Sequence, residues 1–335
     1  MGRIALNGLG RIGRLVVRQL GAARPGLLGA VNDPAPLDQL VHLLRHDSVH
    51  GPSRQPIEGF TEGGQDFLLL GDHRVPLFHA TDPAAIPWPS PLRLVVEASG
   101  RFTRRDDAAR HLKAAVTHVV ISAPSPDADL TVIAPVNGAS LDPGRHRVIS
   151  NASCTAHATA PMLKVLDDAF GLEHAGMSTV HVVTNDQRLL DLPHKDRRRA
   201  RAAFQSIIPT TSSAFGALHR ALPGLPPGFD GVALRVPTLS VNLVDLVATL
   251  HRDADAAGLR AAYESAAAAW PGILGIAGPH TVSCDITGRS ESVLMDLDLT
   301  MTLGPRFVKV FGWHDNETGY AARLCDLILD LAGRI

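Results

Sequence analysis

The chain has 335 residues, of which 45% are hydrophobic and 19% charged, enough for a large core and about two domains. This composition excludes a disordered protein. Lys and Arg number 32 against 33 Asp and Glu, so the formal net charge of -1 gives no overall field to hold nucleic acid or an anionic membrane. Three cysteines and no signal-peptide pattern favour a reducing, cytoplasmic compartment.

The first half of the chain alternates short apolar runs with amphipathic stretches. Strands are predicted at residues 3–7, 28–32, 92–97, 119–122 and 130–134, and helices at residues 12–20, 37–44 and 106–115. This alternation predicts an α/β fold, a Rossmann-type doubly wound parallel sheet. Residues 51–90, rich in Gly and Pro, are predicted to form antiparallel hairpins inserted between two strands.

The second half has a different pattern. A helix at residues 155–170 is followed by alternating strands at 178–184, 232–237, 242–251, 292–299 and 306–312, and by a last helix at 319–332. We expect an α+β domain with a mainly antiparallel sheet. Residues 186–209 are too long for an ordinary loop and are predicted to be functional.

A glycine-rich turn connects the first predicted strand to the first helix. It reads Gly8-Leu9-Gly10-Arg11-Ile12-Gly13. Its glycines would let backbone N–H groups approach a pyrophosphate at the helix N-terminus. Asp33, at the end of the second strand, could accept hydrogen bonds from ribose hydroxyls and would repel a 2′-phosphate, which favours NAD over NADP. An ordinary βα turn is the alternative.

A candidate nucleophile lies between a strand and a helix. Cys154 is predicted in the first helical turn, where the helix dipole would stabilise a thiolate. The alternative is a buried structural cysteine, which is the interpretation preferred for Cys284 and Cys325. Oxidation of an aldehyde through a thiol also needs a base, and the sequence offers sixteen histidines, of which His181 is one candidate and a core histidine the alternative.

Two other patterns predict no site. His42, His46 and His50 recur every four residues, but no carboxylate or cysteine completes a ligand set, so no metal is expected. The basic run at residues 195–201 is interpreted as a solvated face or an interface contact rather than a nucleic-acid site.

The motifs as a series resemble the phosphorylating glyceraldehyde-3-phosphate dehydrogenase family over nearly the whole length. In order they are Asn7-Gly8-Leu9-Gly10-Arg11-Ile12-Gly13-Arg14, Asn32-Asp33, Glu97-Ala98-Ser99-Gly100-Arg101-Phe102, Ser150-Asn151-Ala152-Ser153-Cys154-Thr155, His181 with Thr184-Asn185-Asp186-Gln187, Leu192-Pro193-His194-Lys195-Asp196, Ile208-Pro209-Thr210-Thr211, Leu234-Arg235-Val236-Pro237-Thr238 and Asp315-Asn316-Glu317.

The resemblance implies roles for particular residues. Cys154 would be the nucleophile, and His181 would lower its pKa and shuttle the proton. The cofactor would be held by Gly8, Gly10, Arg11, Ile12, Gly13, Asp33, Ser99, Gly100, Ser122, Leu192, Pro193 and Asn316. Thr184 and Arg235 would bind the substrate phosphate, and Ser153, Thr155, Ser212 and Ser213 the inorganic phosphate. Residues 186–209 would pack against a neighbouring subunit, which implies a homotetramer.

The resemblance also implies the domain boundaries and the reaction. An NAD-binding domain would span residues 1–151, completed by the C-terminal helix 317–335, and a catalytic domain residues 152–316. The reaction would convert glyceraldehyde 3-phosphate and phosphate to 1,3-bisphosphoglycerate. A sister enzyme acting on erythrose 4-phosphate, a paralogue with arsenate as acceptor, and a non-catalytic regulatory or RNA-binding protein remain alternatives.

Three segments depart from the family pattern. Residues 156–158 are Ala-His-Ala instead of Thr-Asn-Cys, so a second thiol near Cys154 is missing. Residues 212–216 are Ser-Ser-Ala-Phe-Gly, which loses a lysine at the rim of the anion site, and Thr318 replaces a tryptophan. These changes concern the acceptor anion and the cofactor.

Overall fold

Two sheets organise the chain in a computed structural model that describes residues 4–24, 26–113 and 115–335. The strands are β1 Ile4–Asn7, β2 Leu28–Asn32, β3 Ile57–Glu62, β4 Gln65–Leu70, β5 His73–Phe78, β6 Leu94–Glu97, β7 His118–Ile121, β8 Leu130–Thr131, β9 Val148–Ser150, β10 Leu172–Val182, β11 Ile208–Thr210, β12 Asp230–Val236, β13 Asn242–Leu250, β14 Leu274–Ile276, β15 Val293–Thr302 and β16 Phe307–His314. The helices are α1 Arg11–Ala23, α2 Leu37–Arg45, α3 Arg105–Ala109, α4 Cys154–Phe170, α5 Ala214–Ala221, α6 Ala256–Ala269, α7 Ser283–Ile286 and α8 Thr318–Arg334.

The chain divides into two compact units. The first covers the chain up to Val132, then Ala139–Ala152 and Ala321–Ile335, and the second covers Ile133–Gly138 and Ser153–Tyr320. Within the described residues the first unit holds a sheet in the order β3-β4-β5-β2-β1-β6-β7-β9-β8, and the second holds one in the order β11-β12-β10-β13-β16-β15-β14. The described part of the chain has no helix long and apolar enough to cross a membrane.

The first sheet is parallel around β1 and ends in an antiparallel meander. Strand β1 pairs in parallel with β2 and β6, whereas β3, β4 and β5 pair antiparallel with one another. The strands around β1 are buried on both faces, and α1 packs Val16, Val17 and Leu20 into the same core as α8. A parallel sheet covered by helices on its faces is the Rossmann-type architecture that the sequence predicts. The inserted hairpins between residues 51 and 90 are present as β3 to β5.

The second sheet is mainly antiparallel, and helix α4 packs against it. Strand β13 alternates buried and half-buried residues along its whole length, as expected of a strand with one face on a core. Strands β10 and β12 pair in parallel, which places His181 and Arg235 side by side in register. The predicted fold class, a parallel sheet plus a mainly antiparallel α+β part, is therefore confirmed.

Three predicted elements differ from the structure. The helix expected at residues 106–115 ends at Ala109, because the following turns use shorter-range hydrogen bonds such as His111 N to Ala108 O. The strand expected to reach residue 134 ends at Thr131, since Ile133 N donates to the side chain of Asn137. Residues 3 and 114 of the predicted elements lie outside the described residues. The segment around Cys284, whose sequence is strand-like, is the short helix α7.

Candidate active site

The glycine-rich turn between β1 and α1 has no room for a side chain at Gly8 or Gly13. Gly8 has φ +100°, and a Cβ there would lie 2.6 Å from the Ser99 backbone nitrogen. A Cβ on Gly13 would lie 2.0 Å from the Gly8 carbonyl oxygen. A Cβ on Gly10, in contrast, would meet nothing within 4 Å. The turn therefore keeps a side-chain-free backbone at the start of a helix, a position that suits an anion.

A groove borders this turn. Its lining includes Asn7, Gly8, Gly10, Asp33, Ser99 and Phe102. The carboxylate of Asp33 accepts hydrogen bonds from Leu9 N at 2.7 Å and Ala35 N at 3.0 Å, so it is fixed at the end of β2. A cradle of glycine backbone with an oriented carboxylate beside it fits the pyrophosphate and ribose of a dinucleotide.

The remaining cofactor residues predicted in the first unit are not part of the lining of this groove. Arg11 directs its guanidinium to Asp47, with Nη1 2.5 Å from Oδ2. Burial opposes ionisation of Asp47, but two backbone N–H groups and this guanidinium lower its pKa to about 2. Ser122 follows β7, and its buried hydroxyl has no hydrogen-bond partner among the described residues. Of the predicted set, Ile12, Gly13 and Gly100 also lie outside the described lining.

Cys154 is the first residue of helix α4. Ser153 caps this helix, and its hydroxyl accepts from Ala156 N at 3.1 Å. The thiol sulfur lies 3.9 Å from Thr155 Oγ1 and 3.9 Å from His181 Nε2. A helix N-terminus stabilises negative charge on such a sulfur. The structure thus brings together the predicted nucleophile and the predicted base, which are 27 residues apart in the sequence.

His181 is buried in β10 and has a defined orientation. Its Nδ1 lies 2.8 Å from the carbonyl oxygen of Val182, and its Nε2 is the ring nitrogen that faces the thiol. Arg235, in the neighbouring strand, contacts the same Nδ1 and donates to the Val182 carbonyl at 3.1 Å. Sheet register therefore places a guanidinium beside the candidate base.

Burial shifts the pKa values of Cys154, His181 and Arg235. Desolvation raises the pKa of the Cys154 thiol, although a hydrogen bond from Thr155 and the charge of Arg235 act in the opposite direction. Desolvation and the charge of Arg235 lower the pKa of His181 well below its usual range. Burial also lowers the pKa of Arg235 to about 10, which leaves it a cation at neutral pH. The imidazole is therefore held in its basic form, while burial opposes the thiolate that the helix position favours.

The predicted anion-binding residues of the second unit lie near turns and helix starts. Thr184 directs its backbone N–H and its hydroxyl to Gln187 Oε1, at 2.8 and 3.0 Å. Ser212 accepts from Ala214 N at 3.2 Å, and Ser213 immediately precedes α5. Thr155 is buried in the first turn of α4.

Arg199 is a residue of this region that the sequence reasoning missed. Its side chain is 17% exposed, donates to Thr210 Oγ1 at 2.8 Å and to the Thr211 carbonyl at 3.1 Å, and pairs with Asp186. Its charge adds to that of Arg235 in lowering the pKa of His181. The interpretation of residues 195–201 as a solvated face or an interface contact did not single out this arginine, because a run of charges does not show which member turns inward.

Other predicted residues have simpler surroundings. Asn316 is buried and accepts from Val241 N at 3.2 Å, whereas Leu192 is 57% exposed and the Pro193 carbonyl accepts from Arg188.

Cys325 is buried, as expected, but Cys284 is exposed in α7, so its interpretation as a buried structural cysteine is wrong. Among the described residues no three His, Cys, Asp or Glu side chains form a group that could hold a metal.

Comparison with known proteins gives concordant matches. Residues 2–105 match the glyceraldehyde 3-phosphate dehydrogenase NAD binding domain, and residues 153–316 match the C-terminal domain of the same enzyme. Glyceraldehyde-3-phosphate dehydrogenase of Geobacillus stearothermophilus is 44% identical, covering 99% of this chain and 98% of its own length. The enzyme of Priestia megaterium is 43% identical with the same coverage, and enzyme 1 of Bacillus subtilis is 43% identical with 98% of each chain covered.

The fold and these matches define an NAD-dependent oxidoreductase that acts on an aldehyde group. NAD, predicted from the glycine turn and Asp33, is confirmed as its cofactor. The chain belongs to the glyceraldehyde-3-phosphate dehydrogenase family, which confirms the resemblance seen in its motifs.

Proposed function

We propose that the chain catalyses the NAD-dependent oxidative phosphorylation of glyceraldehyde 3-phosphate to 1,3-bisphosphoglycerate through a thioester on Cys154. The observation that carries this proposal is the thiol at the start of α4, 3.9 Å from Nε2 of His181, with the Arg235 guanidinium on the next strand. In this proposal residues 1–151 with 317–335 bind NAD, and residues 152–316 carry out the chemistry.

The first step forms a bond between sulfur and carbon. His181 Nε2 takes the thiol proton as Cys154 Sγ adds to the aldehyde carbon, and the carbonyl oxygen becomes an alkoxide that receives this proton. The backbone N–H of Cys154 and the His181 imidazole stabilise the developing oxyanion. Arg235 and Thr184 hold the substrate phosphate and so orient the aldehyde carbon toward the sulfur.

The second step oxidises the hemithioacetal and cleaves the thioester. NAD, when bound, supplies the acceptor for the hydride that leaves the carbon. His181 removes the hydroxyl proton as the thioester carbonyl forms. Phosphate, held by Ser153, Thr155, Ser212 and Ser213, then attacks this carbonyl, and the Cys154 thiolate leaves and regains a proton from His181.

The test is NADH formation by the purified protein with glyceraldehyde 3-phosphate, run with phosphate, with arsenate and without an acceptor anion. We expect steady turnover only with an acceptor and none for Cys154→Ser, while Cys284→Ser, an exposed thiol in α7, retains wild-type turnover. Turnover by Cys154→Ser, or none by the wild type, contradicts the proposal. A higher kcat/KM with arsenate than with phosphate would identify arsenate as the acceptor. A higher kcat/KM for erythrose 4-phosphate than for glyceraldehyde 3-phosphate would identify erythrose 4-phosphate as the aldehyde.

We also propose a cytoplasmic homotetramer without nucleic-acid or membrane partners. Support comes from apolar side chains exposed along residues 186–209, with Leu189 70%, Leu190 75% and Ile207 67% exposed. Several large apolar side chains exposed within one segment are typical of protein interfaces. Light scattering of the purified protein should give the mass of four chains, and a monomer would contradict the proposal.

A further inference from the structure

A buried carboxylate lies directly behind the groove of the first unit. Glu97 ends β6 and is 2% exposed. Its Oε1 accepts from the backbone N–H of Ser99 at 2.8 Å and from the Ser99 hydroxyl at 2.5 Å. Its Oε2 accepts from Asn7 Nδ2 at 2.6 Å and lies 2.9 Å from His111 Nε2. Four donors use about all the acceptor sites that a carboxylate has.

The side of this carboxylate remote from the groove is fixed by the core. His111 is fully buried and takes no part in the groove lining. The indole N–H of Trp88 points at its Nδ1 from 3.2 Å, which makes Nδ1 the acceptor and leaves the Nε2 proton to donate to Glu97. The orientation of Glu97 is therefore determined from behind, independently of any ligand in the groove.

On the side of the groove, the Glu97 carboxylate accepts hydrogen bonds from two different walls of the groove, at Asn7 and at Ser99. Asn7 immediately precedes the Gly8 turn, and Ser99 begins the loop that faces this turn. The two backbones are in close contact, since a Cβ on Gly8 would lie 2.6 Å from Ser99 N. One carboxylate thus fixes the separation of the turn and the loop.

A third wall is connected through Asn7. Asn32 Nδ2 donates to Asn7 Oδ1 at 2.8 Å and to the Ala80 carbonyl at 2.9 Å, and Ala80 N donates back to Asn32 Oδ1 at 2.9 Å. Ala80 and Asn32 both line the groove. Asn7 therefore joins the adenosine side of the groove, where Asp33 lies, to the carboxylate.

We propose that Glu97 is a positioning residue for NAD, because it sets the distance between the Gly8 turn and the Ser99 loop. This inference rests on the assignment of the groove to NAD. A glutamine at residue 97 keeps one oxygen but turns an NH₂ group toward either the Ser99 donors or the Asn7 and His111 donors. One wall is then released, whichever way the amide is oriented.

The test is direct NAD titration of Glu97→Gln, followed by its steady-state kinetics. We expect the Kd and KM for NAD to rise at least about tenfold, the loss typical of a hydrogen bond to a charged group, while kcat stays within about twofold. AMP, which lacks the pyrophosphate and nicotinamide halves that meet the turn and the loop, should lose less than about threefold in affinity.

Two further variants separate positioning from general weakening. Leu68→Ala creates a cavity in the hydrophobic core of the first unit, at a residue that does not line the groove. It should lower the melting temperature and leave the Kd for NAD unchanged. His111→Leu removes one donor to Glu97 from behind, and should raise the Kd for NAD by about threefold with kcat preserved.

Three results would overturn the proposal. They are an unchanged Kd for NAD in Glu97→Gln, an equal loss for AMP and NAD, and an equal rise in Kd in Leu68→Ala. If Glu97→Gln does not fold, His111→Leu with unchanged NAD affinity overturns the proposal by itself. A wild-type protein that binds NAD but does not turn over glyceraldehyde 3-phosphate contradicts the proposed function and leaves the titrations to decide on Glu97.

Discussion

Two polar groups of this molecule, the buried Glu97 carboxylate in the first unit and the half-buried Cys154 thiol in the second, have opposite surroundings. Glu97 accepts hydrogen bonds of 2.5 to 2.9 Å from a main-chain amide, a hydroxyl, a carboxamide and an imidazole. Cys154 has contacts of 3.9 Å to a hydroxyl and to an imidazole, and burial raises its pKa.

The contrast distinguishes a group that fixes the geometry of a binding groove, Glu97, from a group that takes part in the reaction, Cys154. A fully satisfied carboxylate stays in one position, since every change of partner costs a hydrogen bond. A thiol with long contacts can move its proton to the neighbouring imidazole and its sulfur to an aldehyde carbon. Variants at the reactive group should therefore change kcat, and variants around the groove should change NAD affinity.

The largest effect is expected at the base. His181→Asn removes the imidazole that faces Cys154, so kcat should fall by about 10²- to 10⁴-fold, the usual contribution of a general base, without a change in NAD affinity. His174→Asn, an exposed substitution of the same type on β10, serves as the control and should have wild-type turnover. Steady-state NADH formation checks both. A kcat for His181→Asn within threefold of wild type contradicts the assigned role.

The next effect concerns the arginine beside the base. Arg235→Gln removes the cation proposed to hold the substrate phosphate, so kcat/KM for glyceraldehyde 3-phosphate should fall by about 10- to 100-fold. Glyceraldehyde without phosphate provides the internal comparison, because its kcat/KM should change much less. Arg306→Gln, at an exposed arginine immediately before β16, is the matched control. Equal losses for both aldehydes would show that Arg235 acts through His181 instead.

A smaller effect is expected on the groove side. Asp33→Asn keeps the shape of the side chain but removes its charge, so the KM for NAD should rise about threefold to tenfold and the preference over NADP should weaken. Asp38→Asn, exposed in the first turn of α2, is the control and should change neither value. Paired KM values for NAD and NADP measure the effect. An unchanged ratio would mean that another residue rejects the 2′-phosphate.

The local parts of this site could be predicted from the sequence. A glycine turn after a strand, an acid at the next strand end and a cysteine after a small polar segment all lie within short windows, and their positions follow from the strand–turn–helix pattern. The structure places Gly8, Asp33 and Cys154 accordingly. The histidine was different, because only the family resemblance selected His181 among sixteen.

The contacts between distant residues could not be predicted. Glu97 contacts His111 and Asn7, which are 14 and 90 residues away in the sequence. Neither separation produces a repeating pattern from which the contact could be predicted. The same contact explains why the predicted helix at 106–115 is short, since His111 turns inward to Glu97. Tertiary hydrogen bonds outweighed helix propensity in this alanine-rich segment. The inward position of Arg199 likewise depends on Thr210 and Asp186.

The smallest effect is a pH dependence of stability from buried histidines. Burial, with the charge of His157, lowers the pKa of His314 to about 3, and burial also lowers the pKa values of His118 and His181. Because these pKa values are lower in the folded state, the stabilisation is complete above about pH 6.5 and is lost as pH falls toward the folded pKa. Each such group costs up to roughly 1.4 kcal/mol per pH unit below 6.5.

His314→Gln isolates one of these groups. The free energy of unfolding in urea should fall less between pH 7 and pH 5 for this variant than for the wild type, because a glutamine takes up no proton in the unfolded chain. His251→Gln, at an exposed histidine, should keep the wild-type dependence. If the free energy of unfolding depends on pH in the same way for His314→Gln and His251→Gln, His314 does not take up a proton when the chain unfolds.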